Sequence, residues 1–311
     1  MKKSVLVLGG NGFIGQNICK KFLDEGYYVK VYDVSPPAQK NNQIKYYQGN
    51  LNDEEALCAA IQKGDVIMHL ASSTNPQISM ENPQGAYDEI KYAQRLCEIC
   101  LKKQVTRIVF SSSGGAIYGD NGEKPVSEEA QTWPENNYAI AKLTIERILM
   151  MYNIVYQMDN IILRVANPYG FGQNPGCRVG AVTVFADLIM KSEPIHLFVD
   201  KGTVRDYIDI EDVAQAFFLS AEWEKESGVT PIFNIGSGKG IAVADLIELI
   251  GATLHQEAKV IIGADRKFDV KYNVLDIKKA KHYLKYMPNE DNMKNIQQYV
   301  LKLKKKQKET V

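Results

Sequence analysis

The stretch Ser4-Val5-Leu6-Val7-Leu8-Gly9-Gly10-Asn11-Gly12-Phe13-Ile14-Gly15 decides how the N-terminal half folds. An apolar run of this kind reads as a buried strand, and the glycines after it read as a tight turn into a helix. Small residues are needed there. The backbone must turn sharply, bring an anion close to the free N–H groups of a helix start, and pack that helix on the strand. An acid, Asp33, follows eighteen residues after Gly15, at the end of the next β-rich run. Strand, glycine turn, helix and distant acid together predict a dinucleotide site. A carboxylate at position 33 accepts ribose hydroxyls and repels a 2′-phosphate, so the expected cofactor is NAD. Its contacts are expected at Gly9, Gly12, Phe13, Ile14, Gly15 and Asp33, and at Asn50, Leu51, Leu70, Ala71 and Ser72, where later strands end.

Outward from the turn, short β-rich runs alternate with longer amphipathic stretches, the pattern of a parallel sheet covered by helices on both faces. Strands are expected at Ser4 to Leu8, Tyr28 to Tyr32, Ile44 to Gln48, Val66 to Leu70, Arg107 to Ser111 and Asn160 to Arg164. Helices are expected to begin near Gly12, Asp53, Asn82 and Tyr138, with Asn52 or Asp53 capping the second. Beyond about Ala166 the rhythm changes and Gly, Pro and Asn thicken. The expected fold is α/β, a doubly wound parallel sheet of Rossmann type over 1–166 with parts of 205–235 returning to it. A smaller mixed α/β lobe is expected over 167–311.

The totals exclude several classes. Thirty-seven basic residues balance 37 acidic ones, which argues against a nucleic-acid partner, and the Lys-rich stretch from Lys302 to Lys308 reads as a solvated helix end. No run reaches the roughly 18 apolar residues of a membrane span. Five cysteines and four scattered histidines give neither a disulfide framework nor metal-ligand spacing. Cys97 and Cys100 fall in a helical pattern and read as buried thiols. A cytoplasmic protein without a metal is expected.

Two side chains carry the chemistry. Tyr138-Ala139-Ile140-Ala141-Lys142 puts a phenol and an ammonium four residues apart on one helix face. The ammonium stabilises phenolate, so Tyr138 can act as a general base. Ser111-Ser112-Ser113-Gly114-Gly115 ends an expected strand at the same sheet edge as the cofactor. With these come Tyr118-Gly119, Leu163-Arg164, Asn167-Pro168-Tyr169-Gly170, Arg205-Asp206-Tyr207-Ile208 and Asp212-Val213. In this combination the chain resembles the extended short-chain dehydrogenase/reductase family, and within it the nucleotide-sugar epimerases of the UDP-glucose 4-epimerase group.

That resemblance implies NAD-dependent inversion at C4 of a UDP-hexose, plain or N-acetylated, through a transient 4-keto sugar. Tyr138 would take the hydroxyl proton, Ser113 would hydrogen-bond that oxygen, with Ser112 as the alternative serine, and Lys142 would hold the nicotinamide ribose. Asn167 and Arg205 match residues at the phosphates, Arg266 with Asp269 matches an Arg and an acid that contact the nucleotide, His196 to Phe198 lies where the uracil packs, and Asn273 matches the position that sets room for the C2 substituent. A homodimer through helices near Asn82 to Lys102 and Tyr138 to Tyr156 is also implied. Related dehydratases and decarboxylases carry an acid where this chain has Gly114-Gly115, which favours simple oxidation and re-reduction. Three departures stand out: Glu89 where Asn is frequent, Asn50 where Asp is usual, and Thr74 where some epimerases have Lys. The rival readings are a nucleotide-sugar decarboxylase, dehydratase or ketoreductase, and a catalytically silent NAD-binding regulator.

Overall fold

Strand β1 (Ser4–Leu8) runs into helix α1 (Phe13–Asp24) through the glycine turn, in a computed structural model that describes residues 2–177, 179–263 and 270–310. There follow β2 (Tyr28–Asp33), β3 (Ile44–Gln48), α2 (Glu54–Ala60), β4 (Asp65–His69), α3 (Pro76–Glu81), α4 (Pro83–Lys102), β5 (Arg107–Ser113), α5 (Asn137–Val155) and β6 (Ile161–Val165). The expected strands all form, within two residues of their expected ends. Asp53 is the cap of α2, its Oδ1 accepting from the Ala56 amide at 3.0 Å.

The largest difference is α3, which the sequence analysis leaves as loop. It has six residues, too few for a hydrophobic period to show. Its local signals are a cap and a proline: Asn75 Oδ1 accepts from the Ile78 amide, and Pro76 opens the helix where its missing N–H costs nothing. Strand β5 also continues two residues past its expected end, so that Ser112 and Ser113 pair with Arg164 and Val165 of β6.

After β6 come β7 (Asn167–Tyr169), α6 (Ala181–Met190), β8 (Ile195–Leu197), β9 (Val204–Asp209), α7 (Ile210–Glu222), β10 (Ile232–Ile235), β11 (Gly240–Ala242), α8 (Val243–Leu254), β12 (Val260–Ile262), β13 (Tyr272–Asn273) and α9 (Asn292–Thr310). The main sheet is parallel throughout, in the order β10-β6-β5-β4-β1-β2-β3. It is a Rossmann-type α/β fold. Buried side chains cover both faces, which is why its central strands are apolar almost without interruption. The order reverses between β1 and β4, so a crevice opens at their carboxyl ends.

The chain leaves this sheet after β6 and rejoins it at β10, with α7 packed against α1 on the way. Between and beyond, β7, β9, β11 and β13 form a second small sheet around β9, and β8 pairs with β12. Helices α6, α8 and α9 close a separate apolar cluster against these strands. Strand β9 is anchored by the buried Asp206. Its carboxylate accepts from the Ser237 hydroxyl at 2.6 Å and from the amides of Ser237, Gly238 and Leu275 at 2.8, 3.2 and 3.3 Å. Burial pushes its carboxyl up to about 6, with those donors opposing the rise.

The turn that starts the fold leaves no room for side chains. Gly9 has φ +82°, in the left-handed region, and a Cβ on Gly15 would collide with the Gly9 carbonyl oxygen and lie 2.6 Å from Gly10 Cα. Backbone cannot yield as a flexible side chain can. The Gly15→Ala variant should lose about 1–3 kcal/mol of stability, as overpacking at a tight contact does. Urea denaturation checks this, and a midpoint equal to the parent's would refute the close packing of α1 on the turn.

Candidate active site

The dinucleotide half of the site is assembled from backbone. Helix α1 starts at Gly12 with no side-chain cap and no acid in its first turn, which leaves its leading N–H groups for an anion. Asp33 ends β2 beside it. One carboxylate oxygen accepts from the Asn11 amide and the other from the Ser35 amide, each at 2.9 Å, so the acid is fixed at the rim of the turn. These residues fit a dinucleotide: a cradle that a Cβ would fill, open amides for the pyrophosphate, and a held acid for the ribose. Asn50 sits exposed in the turn after β3, its Oδ1 accepting from Asn52 N at 3.1 Å. Leu70, Ala71 and Ser72 follow β4 at the same edge.

The reactive half is carried by α5. Asn136 starts it, Oδ1 accepting from the Ala139 amide at 2.9 Å. The unanticipated α3 then fixes the first turn: the Tyr138 amide donates to Ser79 Oγ at 3.0 Å, and Asn137 Nδ2 donates to the Ser79 carbonyl at 2.9 Å. Tyr138, Lys142 and Glu146 recur every four residues and form one stripe. Lys142 is buried, its Nζ 5.4 Å from the centre of the Tyr138 ring and 5.0 Å from that of Phe110. Glu146 is buried deeper and accepts from Arg164 at 2.7 Å and from Ser112 Oγ at 2.5 Å.

That last bond separates the serines. The Ser112 hydroxyl is spent on Glu146, on the buried side of β5, whereas Ser113 is partly open; both border a cavity of about 560 Å³. The same cavity is bordered by Phe13 and Ile14 of α1, Tyr138 of α5, Asn167 of β7 and Arg205 of β9. It therefore joins the sheet edge to the smaller lobe. Asn167 is held by Nδ2 donating to the Asp206 carbonyl at 2.9 Å, and Arg205 Nη1 donates to the Val204 carbonyl at 3.0 Å. Leu197 and Val199 also border it, and His196 is exposed on β8.

Asn273 does not line this cavity. It is buried on β13, Nδ2 donating to the Gly114 carbonyl at 3.0 Å, and its Oδ1 has no partner. Arg266 and Asp269 lie outside the described residues. The two glycines after Ser113 differ in kind. A Cβ on Gly114 would sit 2.6 Å from Leu275 Cδ1 and 3.0 Å from the Arg164 carbonyl, whereas one on Gly115 would meet nothing nearer than 3.6 Å, at Asn167 Oδ1. Gly114 is required by packing. At Gly115 a Cβ would be accommodated in ordinary contact.

Sequence reasoning passed over two neighbours of Lys142. His69, 3% exposed at the end of β4, has neither ring nitrogen bonded, and burial with the nearby ammonium pushes its pKa down to about 3. Glu89 of α4 was noted only as a departure. It lies buried with Oε2 at 3.8 Å from Lys142 Nζ. Cys97 and Cys100 are buried in α4, and burial pushes both thiols up. Among the described residues no cluster of His, Cys, Asp and Glu could hold a metal ion, and no helix is long and apolar enough to cross a membrane.

Known proteins repeat this arrangement along its length. A putative UDP-glucose 4-epimerase of Methanocaldococcus jannaschii is 32% identical over 304 residues, 95% of this chain and 97% of that one. A dTDP-4-dehydro-6-deoxyglucose reductase of Escherichia coli is 30% identical over 92% of this chain and 93% of that one. The structure of the UDP-glucose 4-epimerase of Thermotoga maritima, solved with UDP-glucose, superposes with a TM-score of 0.90 at 32% identity, covering 97% of this chain and 99% of that one. The model of one family matches residues 5–236, from β1 through the return strand β10, and with the glycine turn, the serine strand and the Tyr138–Lys142 stripe inside that span the chain belongs to the NAD dependent epimerase/dehydratase family.

Proposed function

We propose that this chain is an NAD-dependent UDP-hexose 4-epimerase. The observation that carries the reading is one cavity bordered by Ser113, Tyr138 and Arg205, with a glycine rather than an acid at the one position after the serine where a Cβ would be accommodated. Named UDP-glucose 4-epimerases among its relatives support it.

Tyr138 is the group that takes the proton from the sugar 4-hydroxyl and returns it. Ser113 holds that oxygen by a hydrogen bond. Lys142, with its Nζ 5.4 Å from the centre of the Tyr138 ring, binds the nicotinamide ribose. Nicotinamide, when bound, supplies the acceptor and donor of the hydride at C4. Because the cofactor ends each cycle as it began, no reductant is consumed. Arg205 and Asn167 meet the diphosphate, as Arg suits paired anionic oxygens, with Arg266 and Asp269 completing the nucleotide contacts. Asn273 acts at the sugar end through Gly114. Residues 1–166, with the returning part of 205–235, bind the cofactor, and 167–311 bind the nucleotide sugar.

The relative from Escherichia coli supports one alternative, a ketoreductase on a nucleotide-linked sugar. Purified protein with bound NAD should interconvert UDP-galactose and UDP-glucose, or their N-acetylated forms, with no net change in absorbance of reduced cofactor. Stoichiometric consumption of NADH would favour the reductase, and absence of any interconversion would refute the epimerase. The Tyr138→Phe variant should lower kcat by about a hundredfold to ten-thousandfold while keeping NAD, the usual contribution of a general base.

The reading includes a cytoplasmic homodimer. The four cysteines whose state is described are free, as in a reducing compartment. The end of α5 exposes Met151, Ile154 and Val155, and Tyr156 follows; Ile154 is 77% exposed. Such a patch fits a second copy. Ile154→Glu should convert a dimer to a monomer in sedimentation at micromolar concentration; a parent protein that already sediments as a monomer refutes the dimer.

A further inference from the structure

Glu89 occupies a place where a charge is costly unless it is used. Its Oε1 is saturated from one side: it accepts from Ser73 N at 2.8 Å, from Ser72 Oγ and Thr74 Oγ1 at 2.9 Å, and from Thr74 N at 3.2 Å. Its Oε2 faces Lys142 Nζ at 3.8 Å, with both side chains about 5% exposed or less. A loop at the cofactor edge thus grips Oε1, while Oε2, which also accepts from Ser72 Oγ at 3.1 Å, lies beside the Lys142 ammonium.

The remaining groups around that ammonium do not take this part. His69 of β4 is neutral at working pH, held near 3 by burial and by the ammonium itself. Phe110 of β5 offers only a ring face. Glu146, one turn further along α5, is occupied by Arg164 and Ser112. Glu135 and Arg205 border the cavity on the Tyr138 side, and Glu135 is exposed to solvent there. Among the described residues Glu89 is the acid paired with Lys142.

We propose that Glu89 is a positioning residue that holds Lys142 and offsets part of its charge, and so sets the pH at which Tyr138 can accept a proton. An ammonium shared with a carboxylate stabilises phenolate less than a free one, which moves the working range of the base toward alkaline pH. The same carboxylate fastens the Ser72–Thr74 loop to α4. The activity readout of this proposal rests on the epimerase reading; its spectroscopic readout does not.

The test uses the holoenzyme. In Glu89→Gln, which keeps the shape and loses the charge, the acid limb of kcat/KM against pH should move down by about one unit, a tenfold change in proton affinity. Glu89→Asp, which keeps the charge, should move it much less. A purely structural Glu89 would change stability without moving this limb, so an unshifted limb in a folded Glu89→Gln protein overturns the proposal. Ultraviolet difference titration of the parent holoenzyme against Tyr138→Phe reads ionisation of the phenol without turnover. Should the Gln variant not fold, the same titration in Glu89→Ala decides: the phenol is expected to ionise at lower pH than in the parent, and an unchanged titration refutes the offset. Absence of sugar turnover in every protein would sink the epimerase reading and leave the titration to judge Glu89.

Discussion

Glu146 and Arg164 form an ion pair with their side chains 1% and 2% exposed, and the placement of the reactive groups depends on it. Glu146 belongs to the helix that carries Tyr138 and Lys142, and Arg164 to the strand beside the serines. The pair therefore fixes the height of α5 over β5 and β6, and Ser112, which donates to the same carboxylate, fixes its register against the serine strand. Arg164 reaches on to the Tyr118 hydroxyl at 2.9 Å, and Tyr118 donates to Asn234 of β10 at 2.6 Å. A buried pair of this kind is weak evidence for stability, because desolvation offsets the attraction. Loss of one partner, which strands a charge, costs about 3–5 kcal/mol. Its use here is positional: only one docking of the helix satisfies all of these groups.

The same requirement explains what could be read in the sequence. The glycine turn was legible because backbone chemistry leaves few alternatives, and the strands because burial on both faces demands unbroken apolar runs. The Tyr138–Lys142 spacing was legible as a helical stripe, but its continuation to Glu146 was not, since a buried acid on a helix shows its purpose only when Arg164 is beside it. Helix α3 was hidden by its length, although it fixes the first turn of α5 through Ser79. The choice between Ser112 and Ser113 was open in sequence; in the structure Ser112 is bonded to Glu146 and Ser113 is the more open of the two.

In the smaller lobe, legibility fell because its elements are short and hold one another through backbone groups. Four donors from the Ser237–Gly238 turn and Leu275 converge on Asp206, and no spacing rule announces such a convergence. Its effect is to hold β9, and with it Arg205, against the end of the main sheet. Asn273 shows the reverse case. Its position along the chain matched a substrate contact, but its side chain is turned to the Gly114 carbonyl, so any influence it has on the sugar passes through the backbone after the serine.

The two glycines after Ser113 connect these observations to the chemistry. Gly114 is demanded by Leu275 and the Arg164 carbonyl, so the strand end can approach the lobe only without a side chain there. Gly115 has space: a Cβ there would lie 3.6 Å from Asn167 Oδ1 and 3.9 Å from Ser113 Oγ. Among the described residues Glu89 lies behind Lys142, and Glu135 borders the cavity on the Tyr138 side. With Tyr138 as the proposed proton carrier, such a site is suited to taking a hydrogen from an alcohol and giving it back.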